Sequence, residues 1–205
     1  MVRCIVADRN EEVKDIAGKV LSGKTDTAEI VSRLAEGTRR ERQIAAAALY
    51  LVAKEEPEKL VEHIDCLVDA LNRPEAQTRW ECLEALTILV DFDARSCGKA
   101  LPEVESALFD EESGPVRLGA MRFLCKYGAT TANRSEKVWS LIDEGIQCYH
   151  GDLEFSDMMT AVIDFSNGKL ADQVKESLSS RMSFDAENGK GALQRRAQQI
   201  IDNLA

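Results

Sequence analysis

The chain has 205 residues, 44% hydrophobic and 30% charged, with a net charge of -10 from 26 basic and 36 acidic side chains. That length allows one domain or two small ones, and the acidic balance works against a general nucleic-acid binder, which gains affinity by neutralising phosphates. No run reaches the roughly 20 apolar residues of a membrane span, and aromatics make up only 5% while alanine and leucine recur, a balance that favours helix.

The first segment, MVRCIVADRNEE, has no long apolar core and does not read as a signal peptide. Six cysteines (Cys4, Cys66, Cys82, Cys97, Cys125, Cys148) lie far apart without a C-x-x-C pair, and are read as free thiols of a reducing cytoplasm. Val13, Ile16, Ala17 and Val20 keep helical spacing, with Asn10 as the expected N-cap and Gly23 as the expected stop. This helix runs through GKVLSGKT, Gly18 to Thr25, which fits the phosphate-loop pattern G-x-x-x-x-G-K-[ST]. A phosphate loop follows a buried strand and turns its N–H groups toward the ligand. A helix across the motif does neither, so no nucleotide is expected. Downstream, Asp26 and Glu29 suit a capping box that opens the next helix.

From here a unit of about 38 residues repeats. Arg42, Arg79, Arg117, Phe155 and Gln194 mark equivalent positions. Three residues on stand Ala45, Cys82, Ala120, Met158 and Ala197; six on, Ala48, Ala85, Phe123, Ala161 and Ile200. Seven on stand Leu49, Leu86, Leu124, Val162 and Ile201; ten on, Val52, Leu89, Tyr127, Phe165 and Leu204. These offsets form one face of an α-helix. A second amphipathic segment precedes each marked helix, as in AEIVSRLAEG and EKLVEHIDCLVDALN. Pro57 and Pro102 are placed at the start of leading helices, Pro74 and Pro115 at the start of trailing ones, where a first turn tolerates proline. ILVD, Ile88 to Asp91, imitates the magnesium-supporting strand of nucleotide enzymes but falls in step with the second trailing helix.

Such hairpins cannot bury an apolar stripe alone and must stack. The expected fold is all-α, a right-handed α-α superhelix of about five hairpins behind an N-terminal capping helix. The expected organisation is one domain: cap 1–24, then repeats 25–56, 57–98, 99–133, 134–168 and 169–205. The unit resembles the HEAT repeat, most closely its bacterial HEAT-like form, and SGPVRLGAMRFLCKYG, Ser113 to Gly128, carries the resemblance best. It departs from that pattern in lacking a clear aspartate in the inter-helix turn, and arginine at the last two marker positions.

Other candidate chemistry reads blandly. His63 with Cys66, and Cys148 with His150, lack further metal ligands or an orienting group, and His63 is expected half-exposed beside a buried Cys66. Asp91 and Asp93 fit a solvated helix end better than acid/base work. The run Arg39 to Arg42, beside Arg33, is expected to pair with Glu36 and Glu41. Cys82 fills a core slot as a small hydrophobe. No cofactor, metal or catalytic residue is assigned, and an enzymatic role is not the primary expectation.

The resemblance implies that trailing helices line a concave groove. Offsets 1, 5, 8 and 12 then face it: Gln43, Ala47, Tyr50 and Lys54; Trp80, Glu84, Thr87 and Asp91; Leu118, Arg122, Cys125 and Ala129; Ser156, Thr160, Ile163 and Asn167. The expected function is a cytoplasmic, non-enzymatic scaffold that binds a protein or peptide, with basic groups on the partner. Its groove candidates are Tyr50, Lys54, Trp80, Glu84, Asp91, Leu118, Arg122 and Ile163, with Trp80 and Tyr50 as anchors. The alternative is an enzyme or enzyme accessory of the HEAT-like class, such as a bilin-lyase-like chromophore handler or a DNA alkylation glycosylase-like solenoid. A basic groove would favour DNA, and a mixed or acidic one a protein.

Overall fold

This computed structural model describes the backbone of residues 2–205 and the side chains from Arg9 onward, so Cys4 lies outside the described side chains. Among these residues every regular element is helical. The helix α1 (Val2–Leu21) is followed in chain order by α2 (Thr27–Glu36), α3 (Arg39–Glu55), α4 (Ile64–Ala70), α5 (Ala76–Cys97), α6 (Leu101–Leu108), α7 (Gly114–Gly128), α8 (Ala132–Cys148), α9 (Phe155–Ser166), α10 (Asp172–Asn188) and α11 (Ala192–Leu204). A 3-10 helix, Pro57–His63, leads into α4, and a shorter one, Gly98–Ala100, leads into α6. The chain divides into two compact units, Met1–Ala107 and Leu108–Ala205.

In the first unit α3 packs against α1, α2 and α5, and α4 packs against α5. In the second, α7 packs against α8 and α9, while α11 covers α9 and α10. The marked offsets supply these contacts. All of them are buried except Ile201 and Leu204 of α11, which are partly exposed. Leu49, Leu86, Leu89 and Leu124 are completely shielded from solvent, and each such burial is worth about 1.5–3 kcal/mol. Alanine or cysteine at offset 3 keeps neighbouring backbones close, and Gly128 does the same at the end of α7. A Cβ there would sit 2.6 Å from a Val138 methyl and 2.8 Å from the Phe165 ring.

Helix ends follow local chemistry, with corrections to the sequence reading. Asn10 is not an N-cap, because α1 already begins at Val2. Gly23 does stop α1: it adopts φ 70°, its N–H reaches the Val20 carbonyl at 3.0 Å, and the Lys24 N–H reaches Lys19 at 2.9 Å. Glycine takes this left-handed turn without strain. Asp26 caps α2 by accepting from the Ala28 N–H, but Glu29 pairs with Arg33 at 2.9 Å instead of closing a capping box. The reciprocal box is one helix later, between Thr38 and Glu41. Pro57, Pro102 and Pro115 stand in first turns as expected, whereas Pro74 lies just before Glu75, the N-cap of α5.

Two marker arginines form matching clamps. Arg42 donates to the Gly37 carbonyl before its own helix at 2.8 Å and forks onto Glu75 at the head of α5. Arg117 donates to the Asp110 carbonyl at 2.9 Å and lies 3.6 Å from Glu154 at the head of α9. In both clamps the arginine thus joins a turn carbonyl to the acid at the head of the next trailing helix. Arg196 makes a related contact to the Ser156 hydroxyl.

Candidate functional site

Helices α1, α3 and α5 lie side by side with α3 in the middle. Between them opens a cleft of about 340 Å³. Tyr50 of α3 and Trp80 of α5 both line it, and Val13, Ala47 and Leu51 supply further apolar wall. The two anchors that the periodicity placed on one face therefore meet in one cavity. Polar groups enter from both sides: Arg9, Asn10 and Lys14 from α1, Gln77 and Glu81 from α5.

Glu81 is buried, and loss of water pushes its carboxyl above the usual carboxylate range. A hydrogen bond from the Gln77 side chain and the nearby Arg9 charge pull the other way, while Glu84 adds repulsion. The result is an acidic group held at the edge of an aromatic cleft with part of its solvation removed. Such a group gains when a cation arrives, because the pairing occurs where water screens poorly. Lys54 is exposed, and its Nζ stands 5.5 Å from the Tyr50 ring centre. Lys54 thus already sets a positive group over the Tyr50 ring.

The remaining groove candidates fall around this cleft or elsewhere. Glu84 is half-buried one turn beyond Trp80, and Asp91 is exposed farther along α5; neither lines the cavity. Leu118 and Arg122 on α7 and Ile163 on α9 are partly exposed within the second unit. Ala47 and Cys125, assigned by periodicity to the open face, are buried. The residues that the sequence reading missed are Arg9, Asn10, Lys14, Gln77 and Glu81. Glu81 sits two residues after its marker, an offset belonging to neither predicted face.

The other motifs resolve into structural roles. Asp93 interrupts α5 with φ -147° and ψ 75°, and its carboxylate accepts from the Ser96 N–H at 3.0 Å; hydrogen bonds from the Ser96 side chain and then from that N–H hold it below its usual range. The basic run pairs with Glu12 through Arg40 at 2.6 Å and with Glu75 through Arg42, rather than with Glu36 or Glu41. His63 and Cys66 reverse the expected exposure: the imidazole is largely covered and the thiol is exposed. The 3-10 segment ending at His63 winds with three residues per turn, which rotates the start of α4 relative to a continuous α-helix. His150 finds an orienting group that sequence could not name, Asp185, at 3.2 Å. Cys66, Cys82, Cys97, Cys125 and Cys148 are free, and burial pushes the Cys82 and Cys125 thiols up, making them inert packing groups. Among the described residues no cluster of three or more His, Cys, Asp or Glu could hold a metal, and no helix is long and apolar enough to cross a membrane.

At Gly18 to Thr25 the N–H groups of Ser22, Gly23, Lys24 and Thr25 all donate to carbonyls of α1. The phosphate-loop pattern is therefore a helix end whose amides are already engaged.

No protein-family model and no curated protein matches the sequence. Solved structures do match the fold. A designed armadillo repeat protein in complex with the peptide (KR)4 superimposes with a TM-score of 0.78 at 15% identity, covering 95% of this chain and 91% of that one. A computationally designed armadillo repeat protein for modular peptide recognition gives 0.75 at 15% identity, covering 97% and 92%. An engineered protein gives 0.76 at 15% identity, covering 96% and 91%. The chain is thus an all-α superhelix with an armadillo-like repeat fold.

Proposed function

We propose that this protein is a non-enzymatic interaction module whose α1–α3–α5 cleft receives a segment of a partner protein. The observation carrying the reading is the meeting of Tyr50 and Trp80 above the buried carboxyl of Glu81 in one preformed cavity. Aromatic walls can take the methylene stem of a lysine or arginine, and Glu81, with Glu84 beyond it, draws the charged end. Rigid helices lower the ordering cost of binding. The designed neighbour in complex with the peptide (KR)4 supports a basic peptide ligand.

The same role is proposed, within the second unit, for Leu118, Arg122 and Ile163. Asp91 and Lys54 belong to the border, where charge selects partners more than it adds affinity. The cleft mixes Arg9 and Lys14 with Glu81, which supports a protein partner over a DNA strand. We assign the repeat to the HEAT type on its recurring two-helix unit; the 3-10 turns ahead of α4 and α6 are where a third, armadillo-style element is approached. Organisation as one repeat domain and a reducing, cytoplasmic setting complete this reading; the free thiols support the latter.

The test is fluorescence anisotropy of a labelled alternating Lys–Arg peptide against the full chain. Trp80→Ala is expected to weaken binding at least about tenfold, and an alternating Glu–Ser peptide is expected not to bind. Equal affinity of wild type and Trp80→Ala would remove the anchor from the proposal.

A further inference from the structure

The second unit carries a different opening on its leading helices, in which two aromatic rings are set among polar side chains. Trp139 and Asp143 of α8 face Glu176, Ser177, Ser180, Arg181 and Phe184 of α10 across a trough of about 570 Å³. Phe184 is 70% exposed, although a phenyl ring on a helix surface normally turns inward. The trough floor is electrically closed. Arg181 forks onto Asp143 at 2.6 and 3.0 Å, and Gln147 donates to the same carboxylate at 3.0 Å. Lys175 is drawn to Asp172 at 3.9 Å, and Arg134 lies over the Tyr127 ring and donates to Thr130. Basic groups of these two helices are thus largely committed to their own chain. Exposed carboxylates remain around the aromatics: Glu176 in the wall, Glu144 next to Asp143, and Glu187 one turn beyond Phe184. Lys137 and Lys190 are the exposed cations set against them.

We infer that the α8–α10 trough docks an amphipathic helix of a partner, bearing an apolar anchor flanked by lysine or arginine. The shape selects a helix. From Ser177 to Phe184 the trough spans two turns, about 10 Å along α10. Its walls are helix side chains, which offer no backbone ladder to an extended strand, whereas a helix satisfies its own backbone and lays side-chain ridges into such a groove. The charge selects the flanks, since surplus carboxylates repel an acidic helix and attract a basic one. This surface shares no lining residue with the Tyr50–Trp80 cleft.

The probe is a hydrocarbon-stapled helix of about four turns, with leucine anchors and flanking lysines, labelled and titrated with the full chain. A control helix carries glutamate in place of lysine. The lysine helix is expected to bind and to shift the Trp139 indole N–H resonance, assigned by Trp139→Phe, with the Trp80 resonance unmoved. Phe184→Ala, at an exposed position that the fold does not need, is expected to weaken binding about tenfold. Glu176→Lys is expected to weaken the lysine helix and to improve the glutamate helix. Overturning results are a helix that moves only Trp80, one that binds Phe184→Ala equally well, one for which lysine and glutamate flanks are equivalent, or one that does not bind.

Discussion

The first unit's cleft lies between α1 and the trailing helices α3 and α5, whereas the second unit's trough lies between its leading helices α8 and α10. In the first, Tyr50 and Trp80 stay partly open beside α1, which supplies Arg9 and Lys14 to their cleft. In the second, Phe123 and Tyr127 stack inside at 6.0 Å, Cys125 is buried, and the exposed ring is Phe184 of α10. Both units obey the same core offsets. Repetition therefore constrains the residues that hold helices together and leaves the outward ones free.

The comparison breaks most easily at the cores. Phe123→Ala removes a fully buried ring from the second unit and is expected to cost about 3–5 kcal/mol in denaturant unfolding. A loss near zero would mean that the ring is not the packing centre described.

The arginine clamps differ next. The Glu75 carboxylate is almost wholly covered and held below its usual range by Arg42, whereas Glu154 is more exposed and farther from its arginine. Glu75→Ala is expected to lower Tm by about 5 °C, and Glu154→Ala by clearly less. The sign with pH comes from linkage. A carboxylate whose folded pKa is depressed contributes stability above the unfolded glutamate value near 4.3 and loses it as pH falls through the folded value. The gap between wild type and Glu75→Ala should therefore close in acid. A gap independent of pH would assign the effect to packing alone.

A smaller effect of opposite sign belongs to Glu81. Its folded carboxyl is raised by burial, so the ionised form is penalised as pH climbs through the unfolded value toward the folded one. Glu81→Gln is expected to stabilise the free protein by about 1 kcal/mol at neutral pH, to lose that gain in acid, and to weaken binding of the Lys–Arg peptide. Stability gained together with unchanged affinity would leave Glu81 outside the binding site. The smallest effect is expected at Lys24: calorimetry with Mg-ATP should give no binding heat for wild type or Lys24→Ala. Micromolar binding abolished by the substitution would contradict the helix-end reading of Gly18 to Thr25.

Much of the fold was legible because its core is periodic. Offsets 3, 6, 7 and 10 survive from Ala45 to Ile200 since each buried helix face must match the next. The Tyr50–Trp80 pairing was legible for the same reason, both standing on outward offsets of adjacent trailing helices. The features that escaped depend on distant partners or on a changed helical pitch. Glu75 and Glu154 meet arginines more than thirty residues away. Glu81 is covered because α1 lies alongside α3, which no local pattern states. His63 exchanges exposure with Cys66 because the 3-10 turn shifts the register, and Asn10 falls mid-helix because α1 begins at Val2.

The central claim is that the Tyr50–Trp80 cleft receives a basic segment, and the chain's two tryptophans make it directly observable. A Lys–Arg peptide titrated into the labelled protein should move the Trp80 indole N–H resonance saturably and leave Trp139 in place. Saturable binding with Trp80 unmoved would contradict the account.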